Sequence, residues 1–191
     1  MINEHTNPWQ ILSQKEVYTN PWINVTEFDV INPSGGKGIY GKVHFQNYAL
    51  AILAMDEEQH VWLVGQYRFP INKYSWELPE GGGPLHLPPL ESAKRELLEE
   101  TGLSAETWTE LQHIHLSNSV SDELGIIYLA RNLSNSKHKE SRSNLQRRSV
   151  QASETLSLLR RSIGFKRFTL TIFYISKGLK ITFPYSLLMK G

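Results

Sequence analysis

The sequence has no cysteine, which excludes disulfides, thiolate metal sites and a cysteine nucleophile. It also lacks a long apolar run. The longest, residues 48–55 (YALAILAM), is closed by Asp56 and falls far short of a membrane span. The opening MINEHTNPW has neither a basic stretch nor an apolar one, so the expectation is a cytoplasmic protein with no secretory signal and no membrane partner. Acidic residues are scarce in one region only. Residues 134–191 carry 12 Lys/Arg against 2 Asp/Glu, whereas residues 1–133 carry 8 against 17. A basic arm of this kind can bind nucleic acid. Its aromatics (Phe165, Phe168, Phe173, Tyr174) are not interleaved as a base-stacking platform requires, so no nucleic-acid partner is expected. What is present is 191 residues, enough for one domain with a core of its own and at most a small appendage.

Repeats and low-complexity tracts are absent. The first 80 residues read as strands and turns. Residues 25–31 (VTEFDVI) and 39–45 alternate in polarity on either side of Asn32-Pro33-Ser34-Gly35-Gly36, which predicts a hairpin. Residues 48–55 suit a strand buried on both faces, and another strand is expected at 61–65. Residues 78–84 (LPEGGGP) read as irregular, since glycine permits unusual backbone angles and proline removes donors. A helix should begin at Pro88 or Pro89, run through the strong helix formers of 90–101 and stop at Gly102. Strands at 108–116 and 125–130 should flank a polar loop, 117–123. Trp22 and Trp76 are expected in a core or an interface, and His113 and His115 as structural residues.

The helix carries the chemistry. Glu96, Glu99 and Glu100 stand at i, i+3 and i+4, which places all three on one face. Like charges at those spacings repel, and the C-terminal end of a helix disfavours anions. A solvated acidic face is the plain reading. A bound divalent cation would instead turn repulsion into ligation, and an all-oxygen donor set points to Mg²⁺ or Mn²⁺. The glycine loop just before the helix offers free backbone groups where a metal could bridge phosphate oxygens.

Gly81, thirteen further residues, and then Arg95-Glu96-Leu97-Leu98-Glu99-Glu100-Thr101-Gly102-Leu103 resemble the Nudix box, G-x5-E-x7-R-E-U-x-E-E-x-G-U. Similarity to the ADP-ribose pyrophosphatase branch extends from about Trp9 to Leu133 through QYRFP, SWELPEGG and a loop ending in Ser121-Asp122-Glu123. The resemblance implies an α/β/α sandwich with a mixed sheet, an N-terminal antiparallel β extension (1–45), a core at 46–133 with its box at 81–103, and an atypical tail at 134–191. It implies a hydrolase acting on the pyrophosphate bond of a nucleoside diphosphate sugar such as ADP-ribose. Carried over by position, Glu96, Glu99 and Glu100 become the catalytic metal ligands, joined by the Glu80 carbonyl. Arg68 resembles the family's phosphate-binding arginine, for which pairing with Glu77 or Glu80 is the plain alternative. Tyr40 falls where relatives stack an aromatic on the base, a cross-strand hairpin aromatic being the alternative, and Glu123 is placed near the substrate. Relatives commonly pair through their N-terminal strands, so a homodimer is the expected assembly.

Two departures stand out. The box calls for Glu where this chain has Leu87, and Glu91, one turn before Arg95, is the expected substitute partner. That favours an alternative reading, a nucleotide-binding module with little or no catalysis. The second departure begins near Ser134, where the family continues with an acidic loop, a strand and a helix. The basic tail is expected to be an out-of-frame translation from about residues 134–142. One choice of codons for 160–169, read one base later, gives an acidic, helix-patterned ending. Residues 170–175 (LTIFYI) would then form an exposed, aggregation-prone window.

Overall fold

A computed structural model describes residues 6–136, 145–152, 154 and 155. The proposed exposed window at 170–175 and most of the basic tail lie outside these residues. The chain divides into two compact units. One comprises Met1–Ala51, Gly81–Ala93 and Leu111–Ile127, the other Ile52–Glu80, Lys94–Glu110 and Tyr128–Gly191. Its strands are β1 (Gln10–Thr19), β2 (Ile23–Ile31), β3 (Lys37–Phe45), β4 (Asn47–Ala54), β5 (His60–Arg68), β6 (Lys73–Glu77), β7 (Glu80–Pro84), β8 (Leu103–His115), β9 (Leu124–Asn135) and β10 (Gln146–Gln151), with the helix α1 at Pro89–Thr101. They form a mixed α/β fold with three sheets, ordered β1-β2-β3, β10-β5-β6 and β7-β4-β9-β8.

In the first unit the expected hairpin is present. β2 and β3 pair antiparallel from Ile23↔Phe45 to Ile31↔Lys37. Its turn is fixed by the Asn32 side chain, whose Oδ1 accepts from Ser34 N (2.9 Å) and Gly36 N (3.0 Å). Gly35 supplies the left-handed residue at φ +85°. Every residue of β1 is exposed, and its weak alternation explains why the sequence pattern did not single it out. Trp22 is 66 % exposed, so no core among the described residues holds it.

The second unit has a dry centre. Ile52, Leu53, Val61, Leu63, Val64 and Leu97 are each 0 % exposed. β5 continues past the expected 61–65 to Arg68 and pairs with β6 from Val64↔Glu77 to Arg68↔Lys73. Trp76, on β6, lies under the Arg148 guanidinium at 3.9 Å, a cation–π contact.

Two local expectations are corrected. LPEGGGP is not irregular throughout: Glu80–Pro84 form β7, an edge strand in which Gly83 fits where a side chain would not. A Cβ at Gly83 would meet Leu50 Cδ1 at 2.9 Å and Ser92 Cβ at 3.1 Å, and Pro84 sits at the strand's end, where a missing donor is tolerated. β8 starts at Leu103, five residues before the expected 108, because the chain leaves the helix directly into a strand. Within the segment assigned to the atypical tail, Gln146–Gln151 form β10, which pairs with β5 from Gln146↔Gly65 to Gln151↔His60. The helix itself matches its reading: Gly102 takes φ +77° and donates to Leu98 O at 2.8 Å, a glycine stop.

Candidate metal and phosphate site

On α1 the buried positions include Ala93, Glu96, Leu97 and Glu100, the i, i+3, i+4, i+7 stripe of a core-facing helix. Two of the four are glutamates. Glu96 is 3 % exposed and Glu100 only 1 %, whereas Glu99 is half-buried. Burying a carboxylate is costly unless donors or cations compensate it. Glu100 Oε2 accepts the backbone N–H of Glu80 at 2.9 Å, which ties the start of β7 to the end of the helix. Glu96 Oε1 accepts from Arg95 Nη2 at 2.9 Å, so Arg95 has a carboxylate partner although Leu87 replaces the expected one. Leu87 is 45 % exposed.

Arg68, at the end of β5, is bracketed by acids. Its Nε donates to Glu77 Oε1 and Oε2 at 3.1 and 2.9 Å, its Nη2 to Glu77 Oε2 at 2.6 Å, and Nη2 also contacts Glu80 Oε1. Both acids named beforehand as alternative partners are therefore engaged. Burial alone would weaken the Arg68 charge, but the Glu77 hydrogen bond and the Glu77 and Glu80 charges outweigh it and raise its pKa. Glu80 responds in the opposite sense for a carboxylate. Removal from water, then the Glu77 charge, push it up to about 8, with Arg68 pulling against them and Glu100 adding to the rise.

The second unit thus brings Arg68, Glu80 and Glu100 into one bonded group, with Glu77 as a member that sequence reasoning named only as a pairing partner. The alternation in SWELPE, which turns Ser75 and Glu77 to the buried side of β6, was the available signal. A further contributor comes from the tail. Arg147 Nε donates to the Glu100 backbone oxygen, placing a cation at the helix C-terminus, where the macrodipole favours one.

Tyr40 and Glu123 belong to the other unit. Tyr40 donates its hydroxyl to Ser119 O at 2.5 Å, and its ring meets Trp9 edge-on, centroids 5.2 Å apart. Both line a hollow of about 520 Å³ together with Ile11, Phe28 and Lys42. Glu123 is half-buried, and burial raises its pKa. Beside it, Asp122 accepts from the Phe45 N–H at 3.2 Å and pairs with His44 Nδ1 (2.8 Å) and Lys42 Nζ (3.3 Å). Burial works against its ionisation, yet these donors together lower its pKa.

Among the described residues, the group of His, Asp and Glu whose ligand atoms all lie within 4.8 Å of one another is Asp56, Glu58 and His60, at the β4–β5 turn. The α1 carboxylates are not part of that group. Their donor set nevertheless fits a hard cation. It is all oxygen, and two of its members are almost fully buried.

Comparison with known proteins shows the family. The NUDIX domain family matches residues 45–160, and the nucleoside diphosphate sugar hydrolase N-terminal domain matches residues 9–43. The chain is 36 % identical over 131 residues to an ADP-ribose pyrophosphatase of Mycobacterium tuberculosis (strain ATCC 25618 / H37Rv), covering 65 % of this chain and 60 % of that protein. It is 29 % identical over 123 residues to an ADP-ribose pyrophosphatase of Bacillus subtilis (strain 168), covering 64 % and 66 %. The chain thus spans somewhat less than two thirds of the length of either relative. A solved structure described as a crystal structure of ADP compounds hydrolase shares the fold, with a TM-score of 0.75, 19 % identity, and coverage of 92 % of this chain and 96 % of that one.

Proposed function

The chain belongs to the Nudix family, and from that premise we propose that it hydrolyses the pyrophosphate bond of a nucleoside diphosphate derivative, ADP-ribose first among them. The observation that carries the reading is the burial of Glu96 and Glu100, at 3 % and 1 % exposure, in the unfavourable C-terminal half of α1. A sequence selected for stability alone would place apolar residues there. Glu96, Glu99, Glu100 and the Glu80 carbonyl are the groups that would hold Mg²⁺ or Mn²⁺. Such an ion supplies charge neutralisation at the pyrophosphate and acidifies water.

The chain's own residues supply positioning. The Arg68 guanidinium matches two phosphate oxygens in shape and charge. The Glu80 N–H bond to Glu100 fixes the Glu80 backbone at the helix end. Phosphoryl-type displacement asks little more of a protein than orientation and charge stabilisation. In the first unit, the hollow beside Trp9 and Tyr40 offers aromatic surface to a nucleobase, and Glu123 is assigned to the substrate side.

The assembly proposed is a homodimer formed through the N-terminal sheet. Ile11, Leu12, Tyr18, Trp22 and Ile39 are 54–68 % exposed there, and apolar side chains clustered on a surface mark interaction sites. No helix among the described residues is long and apolar enough to cross a membrane, and the cytoplasm is the proposed compartment.

A substrate panel with Mg²⁺, read by product release, tests the activity. Glu99→Gln and Glu100→Gln should each lower turnover by at least about a hundredfold while leaving the circular dichroism spectrum unchanged. Retained Mg²⁺-dependent turnover in both variants refutes the assignment.

A further inference from the structure

Glu77 is almost fully buried, at 6 % exposure, and its carboxylate faces donors on the neighbouring strand. β6 pairs with β5 so that Val64 stands opposite Glu77 and Arg68 opposite Lys73. Across this ladder the carboxylate receives the Arg68 Nε and Nη2 hydrogens and, at 3.3 Å, Gln66 Nε2. A guanidinium has five N–H donors in a rigid plane. Glu77 takes up the edge formed by Nε and one Nη2 hydrogen. The edge left over, made of Nη1 and the second Nη2 hydrogen, is the one turned toward Glu80, which Nη2 contacts.

We propose that Glu77 is a positioning residue: it grips Arg68 by its inner edge and thereby presents the outer edge to the diphosphate of the substrate. The idea rests on the hydrolase reading above and adds to it a second residue that never touches substrate. Two features of the geometry support it. A flexible arginine loses side-chain freedom when it binds an anion, and the grip by Glu77 removes that freedom beforehand. The planar fork also makes the two edges separable, so one carboxylate can hold the group while an incoming phosphate takes the place of the other, Glu80.

The test compares Glu77→Gln, Arg68→Ala and the double variant in the full-length chain. Glu77→Gln keeps the shape and leaves Gln66 a partner, but it replaces an acceptor oxygen with a donor facing Nη2. It should raise the KM for ADP-ribose about tenfold with kcat within about twofold, and it should have no further effect once Arg68 is alanine. The same pattern should appear in the affinity for inorganic pyrophosphate measured by calorimetry, a readout that needs no turnover. Absence of hydrolysis of any nucleoside diphosphate derivative would defeat the activity, whereas the calorimetric cycle still decides the role of Glu77. Three results overturn that role: no measurable pyrophosphate binding to the unmodified chain, effects of the two substitutions that multiply independently, or a Glu77→Gln variant that melts earlier with unchanged KM. Should Glu77→Gln melt below the assay temperature, Glu77→Asp, which keeps the charge but withdraws it by one methylene, reads the same coupling.

Discussion

The most exposed consequence of the acidic crowding is the behaviour of Glu80 with pH in metal-free protein. Its carboxyl moves from an ordinary 4.5 to about 8, by loss of solvation first and by the Glu77 and Glu100 charges next, against the pull of Arg68. At about 1.4 kcal/mol for each tenfold change in proton affinity, the ceiling on this effect is about 5 kcal/mol. Water penetration and side-chain relaxation reduce what is measured, and about 1–3 kcal/mol is the expectation. The sign follows from which state holds the proton. Above pH 4.5 the unfolded chain releases the proton while the folded chain keeps it, so the stabilisation is fully present below the unfolded value and drains away as pH climbs through the folded one. In Glu80→Gln the amide mimics the protonated form at every pH. Thermal melts of both proteins in chelator from pH 5 to 9 should therefore start close together and diverge, with the unmodified chain several degrees lower at the alkaline end. Parallel curves would refute the crowding argument, whatever other groups contribute, because those groups are common to both chains.

Two further outcomes can be stated. Gly83→Ala puts a methyl 2.9 Å from Leu50 Cδ1 and 3.1 Å from Ser92 Cβ, and it should cost about 1–3 kcal/mol; a midpoint in urea unchanged from the parent would show that the helix start and β7 can part without penalty. Ile39→Glu places a charge at a position 68 % exposed on the N-terminal sheet. It should shift the proposed dimer to monomers in light scattering, and a parent chain that is already monomeric refutes the proposed assembly.

The helix and its stop were legible because each rests on short-range chemistry: strong helix formers between Pro89 and Thr101, and a glycine able to take φ +77° at position 102. The hairpin at Asn32–Gly36 was legible for the same reason. β7 was not, because local signals argue against it. Glycine and proline mark breaks in isolation, and the close packing of Leu50 and Ser92 against Gly83 exists only once the chain has folded. The candidate site was half legible. Helical spacing placed Glu96, Glu99 and Glu100 on one face, but spacing says nothing about which side of the helix is dry. That Glu96 and Glu100 point inward and Glu99 less so is decided by tertiary packing. The double engagement of Arg68 likewise depends on β5 lying beside β6, a pairing between residues nine positions apart that alternation alone cannot register.

The stretch 145–155 bears on the origin of the basic tail. Leu145, Ala152 and Thr155 are 8 %, 2 % and 0 % exposed. β10 keeps an unbroken register with β5 over six residue pairs, Arg148 stacks on Trp76, and Arg147 reaches the Glu100 backbone. A peptide read from the wrong frame carries no selected pattern, so it has no reason to seat three positions in a core and a cation at the end of the carboxylate helix. The family match also runs through residue 160. These contacts speak against a frame change as early as 134–142, and the nucleotide sequence of the gene is the measurement that tests it. A chain in frame through Thr155 keeps the β10 contribution to the carboxylate helix.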